Sequence, residues 1–212
     1  MTSRRGPYAK TRGREEAIGR AALDVVRESG HRSLTITEVA RRTGLSEAQL
    51  LYLFPSREHL LVAAIEYAES QSDQASQERR PDPDVEPDEA LARTINTELA
   101  DPPVVRLFVS MAAEAGDPDH PAHRWMTTRT IDIIQNYAEF LRSLQRRGWA
   151  HPDVDPEQFA RQFMALWDGL QAHWLVDPSF DLGAEVGAGL RALARRDAVL
   201  ARAAIGDLAA RL

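Results

Sequence analysis

Apolar residues recur along this chain at intervals of three and four, in segments separated by proline, glycine and aspartate. Only Pro7 precedes residue 55, and the other eleven prolines fall where such a segment starts or stops. No stretch alternates in the manner of a strand or hairpin. The pattern predicts an all-α chain of nine or ten helices. The first spans roughly 14–29, burying Ile18, Ala22 and Val25, with Gly30 as its left-handed stop. Two short helices follow, each opened by a capping box: Thr35 with Glu38, then Ser46 with Gln49. They end at Thr43-Gly44 and at Leu53-Phe54. A fourth helix begins near Ser56, carries Leu60, Leu61, Ala64, Ile65 and Ala68, and fades through residues 71–80. After an acidic, proline-rich linker at 81–88, helices are expected near 88–100, 104–115, 121–147, 156–175, 182–195 and 198–211.

The two short capped helices, joined by Thr43-Gly44-Leu45-Ser46, have the dimensions of a helix-turn-helix. On the second of them Leu50, Leu53 and Phe54 share an anchoring side. Glu47, Ala48, Gln49 and Tyr52 occupy the other, where small or hydrogen-bonding residues suit a major groove.

Charge supports that reading once it is divided. The chain of 212 residues carries a net charge of −6, but residues 1–57 hold 11 of the 26 Lys/Arg and only 6 of the 32 Asp/Glu. A head of +5 therefore sits on a body of −11, and Arg4, Arg5, Lys10, Arg12 and Arg14 all precede the first acidic residue, Glu15. A basic head meets a polyanion through charge alone. The length is sufficient for a large core without metals or disulfides. The absence of cysteine excludes a thiol nucleophile and any Cys-ligated metal. With no signal-peptide stretch and no long apolar run, a soluble cytoplasmic protein without a membrane segment is expected.

The run Gly30…Thr35-Ile36-Thr37-Glu38-Val39-Ala40…Gly44-Leu45-Ser46…Leu50…Tyr52…Phe54…Ser56-Arg57-Glu58…Leu60-Leu61 resembles the DNA-binding domain of the TetR family of bacterial regulators. Ile18-Gly19-Arg20-Ala21-Ala22-Leu23 matches that family's first helix, and Ala165–Leu170 with His173-Trp174-Leu175 is similar to its penultimate one. The resemblance implies a basic arm at 1–13, a three-helix DNA-binding domain at 14–60 and an effector-binding and dimerisation domain at 61–212. It implies DNA contacts from Thr35, Thr37, Ser46, Glu47, Ala48, Gln49 and Tyr52, a phosphate anchor in Arg57, and support from Arg12 and Arg14. Gln49 suits adenine and Glu47 cytosine. Leu51 and Leu53 depart from the family's common tyrosine and histidine.

For the body, the resemblance implies a pocket for a small hydrophobic or amphipathic effector, with Phe108, Met111, Trp125, Tyr137, Phe163 and Trp167 as its candidates. Asn96, Gln135 and His173 are candidates for polar selectivity. It also implies a homodimer through the last two long helices, with Leu170, Trp174, Leu182, Val186, Leu190 and Leu193 at the interface. Gly183, Gly187 and Gly189 fit close backbone approach, within the chain or across a dimer. Asp117, Asp119, His120 and His123 crowd together, yet the segment reads as a loop rather than a metal site. No cofactor and no catalytic constellation are expected. The expected function is that of a ligand-responsive repressor, bound as a dimer to a palindromic operator in double-stranded DNA. A TetR-like regulator controlled by a protein partner is the alternative, and an all-α enzyme a distant third.

Overall fold

The computed structural model describes residues 7–78, 82, 84–99 and 101–209. Among them are ten α-helices and no strand: α1 (Pro7–Ser29), α2 (Ile36–Thr43), α3 (Glu47–Leu53), α4 (Arg57–Glu78), α5 (Pro87–Thr94), α6 (Pro102–Glu114), α7 (Pro121–Arg146), α8 (Pro156–Val176), α9 (Leu182–Leu193) and α10 (Arg196–Ala209). A 3-10 turn, His31–Ser33, precedes α2, and α5 continues as a π-helical turn, Ile95–Leu99.

Proline opens five of these helices, at α1, α5, α6, α7 and α8, where its missing N–H costs no hydrogen bond. Asp101, Asp155 and Asp181 cap α6, α8 and α9 by accepting N–H bonds from Val104, Gln158 and Ala184. Helix α1 starts seven residues earlier than the apolar pattern indicates, so Lys10 and Arg12 belong to a helix and not to a free arm. Pro7 and the helix-forming residues after it carry the extra turns. Arg4 and Arg5 lie outside the described residues. The capping box expected at Thr35 is half formed. Thr35 accepts the Glu38 N–H at 3.2 Å, but the Glu38 carboxylate is drawn to two arginines instead.

The helices pack as two compact units. The first contains the described residues of 1–80 and 101–126, so α6 and the first residues of α7 join α1–α4. Its core includes Ile18, Ala22 and Val26 of α1, Leu60, Leu61 and Ile65 of α4, and Leu107 and Met111 of α6. Gly19 lets α1 approach α4 closely, since a Cβ there would lie 2.9 Å from the Ala63 carbonyl oxygen. Arg27 pairs with Asp101 at 2.8 Å, and the Trp125 indole N–H donates to Glu69 at 3.2 Å.

The second unit holds the described residues of 81–100 and 127–212. Here α9 packs against both α5 and α8, and its glycines show how. A Cβ on Gly187 would come within 2.8 Å of the Asp88 carbonyl oxygen, and one on Gly183 would overlap the Ala92 carbonyl. Gly189 lies against the Leu166 side chain of α8. The close approach therefore occurs inside the chain. This corrects the expected dimer stripe: Leu182, Val186 and Leu190 are 0–1% exposed within one protomer and have no surface left for a partner. Leu170, Trp174 and Leu193 are half-buried against the same core.

Glycine-to-alanine changes should accordingly differ in sign by site. Gly187→Ala should destabilise by about 1–3 kcal/mol through overpacking against rigid backbone. Gly13→Ala, in α1 with nothing near its Cβ, should stabilise by roughly 0.5–1 kcal/mol through helix propensity. Urea unfolding of the two variants measures both.

Candidate nucleic-acid interface

Helix α3 is positioned from three directions. Gly44 sits at φ 68, a left-handed conformation that ends α2 and turns the chain. The Leu45 N–H then bonds back to the Ala40 carbonyl at 3.1 Å. Ser46 and Gln49 complete the expected capping box at 3.2 and 3.0 Å. Leu50 is wholly buried, and Leu53 and Phe54 pack on the same core. The opposite face is open: Glu47, Ala48, Gln49 and Leu51 are exposed, and Tyr52 is 88% exposed.

Helices α2 and α3 are stapled by a hydrogen bond from the Thr37 hydroxyl to the Glu47 carboxylate at 2.6 Å. Two residues expected to meet DNA thus hold each other in place. Glu47 keeps a second oxygen as an acceptor. Gln49 spends its side-chain oxygen on the Ser46 N–H, leaving the amide NH2 for a base edge. The expected bidentate adenine contact needs both ends of the amide, and the cap occupies one of them.

Behind this face lies an ion-pair chain. Arg42 reaches Glu28 of α1 at 2.6 Å and Glu38 at 2.7 Å, while Arg41 also takes Glu38 at 2.7 Å. Hydrogen bonds from Arg41 and then Arg42 hold the Glu38 carboxyl down at about 2. Arg57 is similarly occupied. Its Nε donates to the Leu34 carbonyl at 2.9 Å and its Nη2 to the His31 carbonyl at 2.6 Å. It locks the 3-10 turn to the start of α4, a role that residue spacing did not reveal. His31 itself is buried, and burial, followed by the charges of Arg32, Arg57 and Arg106, lowers its pKa. Thr35 and Ser46 are exposed cap residues, and Arg12 and Arg14 are exposed on α1.

The six expected effector residues do not fall in one cluster. Phe108, Met111 and Trp125 lie in the core of the first unit, with Phe108 and Trp125 meeting edge-on at 6.0 Å. Tyr137, Phe163 and Trp167 belong to the core of the second. Apolar spacing marks burial but does not say which core receives the side chain. Asn96 is spent on capping: its amide donates to Asp181 at 2.7 Å and accepts from the Gly183 N–H at 3.0 Å. Gln135 and His173 are exposed. His120 accepts from the Ala122 N–H and His123 bonds the Ala115 carbonyl, while Asp117 accepts from the Asp119 N–H. Among the described residues no helix is long and apolar enough to cross a membrane.

A seven-residue capped helix, anchored by one buried leucine and joined to α2 through the left-handed Gly44, has the geometry of the second helix of a helix-turn-helix. Residues 18–64 match the model of the bacterial regulatory proteins of the tetR family, and residues 87–197 match that of the BetI-type transcriptional repressor C-terminal domain. The chain belongs to the TetR family of bacterial transcriptional regulators, a class of DNA-binding proteins rather than enzymes. No curated protein sequence matches it significantly.

Solved structures share the fold. A TetR-family regulator from Rhodococcus sp. is 24% identical, with 85% of this chain and 97% of that chain covered and a TM-score of 0.61. Thermus thermophilus FadR, a repressor solved with lauroyl-CoA, is 25% identical, with 84% and 92% covered and a TM-score of 0.56. A transcriptional regulator from Saccharomonospora viridis solved with choline is 20% identical, with 85% and 94% covered and a TM-score of 0.59.

The Glu38 cluster should make the first unit acid-sensitive. A carboxyl lowered on folding from 4.5 contributes stability above pH 4.5, and that stability is lost as pH falls toward 2. Glu38→Gln should remove this part of the acid transition, as read by circular dichroism from pH 5 down to about pH 2.

Proposed function

We propose that the protein is a ligand-responsive repressor that acts in the cytoplasm as a homodimer on a palindromic operator. The observation that carries the reading is α3 itself: capped, anchored through Leu50, and presenting Glu47, Ala48, Gln49 and the 88%-exposed Tyr52 to solvent. In a dimer, two such helices would enter successive major grooves about 34–36 Å apart. Thr35, Thr37 and Ser46 supply backbone and groove contacts from the α2–α3 turn, and Arg12 and Arg14 supply phosphate contacts. Arg57 acts chiefly by holding the 3-10 turn, because two of its three nitrogens already donate to carbonyls. The DNA-binding domain is residues 14–60, supported by Arg12 of the basic segment 1–13, and effector binding and dimerisation lie within 61–212.

For the dimer, the outer faces of α8 and α9 replace the buried stripe. Ala165, Gly169 and Val176 are exposed on α8, and Ala184, Ala188 and Ala192 on α9, small residues at spacings that suit close helix packing. Leu170, Trp174 and Leu193 border them. The ligands held by the Thermus and Saccharomonospora relatives support a small-molecule effector. An effector releases DNA only through a difference in its affinity for two conformers.

The test is selection of bound sites from random duplexes, followed by gel shifts on the winning sequence and on DNA upstream of the coding region. A palindromic consensus together with dimeric sedimentation is expected. Failure to retain any duplex, or monomeric sedimentation, would sink the reading. Release by a protein extract but by no small-molecule fraction would favour control by a protein partner. Among variants, Gln49→Ala should change sequence preference and Tyr52→Ala should weaken binding. Arg57→Lys and Arg57→Ala should both cost stability, about 1–3 kcal/mol, because a lysine cannot fork to two carbonyls. If Lys restores full DNA affinity and stability where Ala does not, Arg57 is a phosphate anchor after all.

A further inference from the structure

The bond between Thr37 and Glu47 fixes more than the angle between two helices. A threonine hydroxyl has one proton, and Thr37 donates it to Glu47 Oε1 at 2.6 Å. Both side chains are exposed, Thr37 in the first turn of α2 and Glu47 at the first position of α3. Among the described residues no cation pairs with Glu47, because Arg42 is bonded to Glu38 and Glu28, and Arg41 to Glu38. What remains free for an incoming partner is Glu47 Oε2 and the lone pairs of Thr37. All of these are acceptors.

A hydroxyl that has spent its donor cannot hydrogen-bond a phosphate oxygen, which is itself an acceptor. The Glu47 carboxylate is also repelled by the phosphates, so at a DNA surface it lowers affinity unless a base compensates it. In the major groove only the exocyclic amines, cytosine N4 and adenine N6, can donate to it. Adenine sets its N7 acceptor beside N6, where it faces the second acceptor of the pair. Cytosine has no acceptor beside N4 on its groove edge. Guanine and thymine present acceptors to the pair and are rejected. A free glutamate could swing away from such a base into solvent. Held by Thr37, Glu47 must break a bond to do so, and rejection of the wrong base is thereby strengthened. An acidic residue in the first turn of α3 also suits the helix dipole, but that benefit needs no fixed rotamer.

We propose that Thr37 is a positioning residue for base recognition: it orients Glu47 so that the two side chains form an acceptor-only pair, which selects a cytosine amine in each operator half-site. This role rests on α3 entering the major groove, as proposed above, and confines the share of Thr37 to the groove.

Sites are to be selected from random duplexes with the wild-type chain and with Glu47→Gln, Thr37→Val, Thr37→Ala and Thr37→Ser. Fluorescence anisotropy at several salt concentrations then gives affinities for the selected site, its single-base variants and an unrelated duplex. The wild type should prefer cytosine at one position of each half-site by about 10-fold or more, as the loss of one good base contact implies. Glu47→Gln should relax that position, since an amide both donates and accepts. Thr37→Val and Thr37→Ala should relax the same position while leaving affinity for the unrelated duplex unchanged, and Thr37→Ser should keep the preference. N4-methylcytosine still pairs with guanine but carries a methyl in place of the groove-facing N–H. It should cost the unaltered protein about as much as a base change.

Thr37→Val and Thr37→Ala variants that bind every duplex more weakly, with a salt slope lower by about one, mark Thr37 as a phosphate contact and overturn the proposal. A wild type indifferent to N4-methylation overturns it too. Should the wild type retain no duplex, the DNA reading of α3 fails and the role of Thr37 with it. A palindromic consensus that Glu47→Gln and the Thr37 variants leave unaltered overturns the positioning role alone, and the operator reading stands.

Discussion

The helix-turn-helix of this protein depends on the burial of one side chain, Leu50. Helix α3 has seven residues, well short of the roughly 12–15 at which an isolated helix becomes even marginally stable in water. Its geometry must therefore come from outside. Leu50 supplies the anchor, wholly buried in the core it shares with residues of α1, α2 and α4. The Ser46–Gln49 cap and the Thr37–Glu47 bond then fix how far the helix can turn about that anchor. With these in place, the exposed side chains of Glu47, Ala48, Gln49, Leu51 and Tyr52 are presented on a rigid mount.

The same region uses its arginines in a way that net charge conceals. Arg41 and Arg42 are committed to Glu38 and Glu28, and Arg57 to two backbone carbonyls. These groups hold α1, α2 and the intervening turn together, so part of the +5 of the head is internal scaffolding. Arg12 and Arg14, by contrast, are exposed on α1. Electrostatic attraction and structural positioning draw on the same residue type, and only geometry separates them.

In the second unit, backbone proximity decides the design. Glycines 183 and 187 bring α9 onto α5 at distances that no side chain would permit. That packing consumes the leucine and valine stripe of α9 and leaves its alanines outside. The exposed face of α9 is then lined by the small side chains of Ala184, Ala188 and Ala192.

Much of the fold was legible in the order of residues. Proline and capping aspartate or serine mark helix starts through local hydrogen-bonding rules, and nearly every predicted helix lies within a few residues of its place. The helix-turn-helix was legible for the same reason, since Gly44, the Ser46 cap and the spacing of Leu50 are all local. The partner of each side chain was not. Glu38 had the spacing of a capping-box residue, yet two arginines, Arg41 and Arg42, outcompeted one backbone N–H for it. Phe108 and Phe163 look alike in sequence, but they enter different cores. Periodicity told which side of a helix is buried, because that depends on a repeat within one segment. Tertiary structure alone decided against what it is buried, because that depends on which distant segments come within a few ångströms of one another.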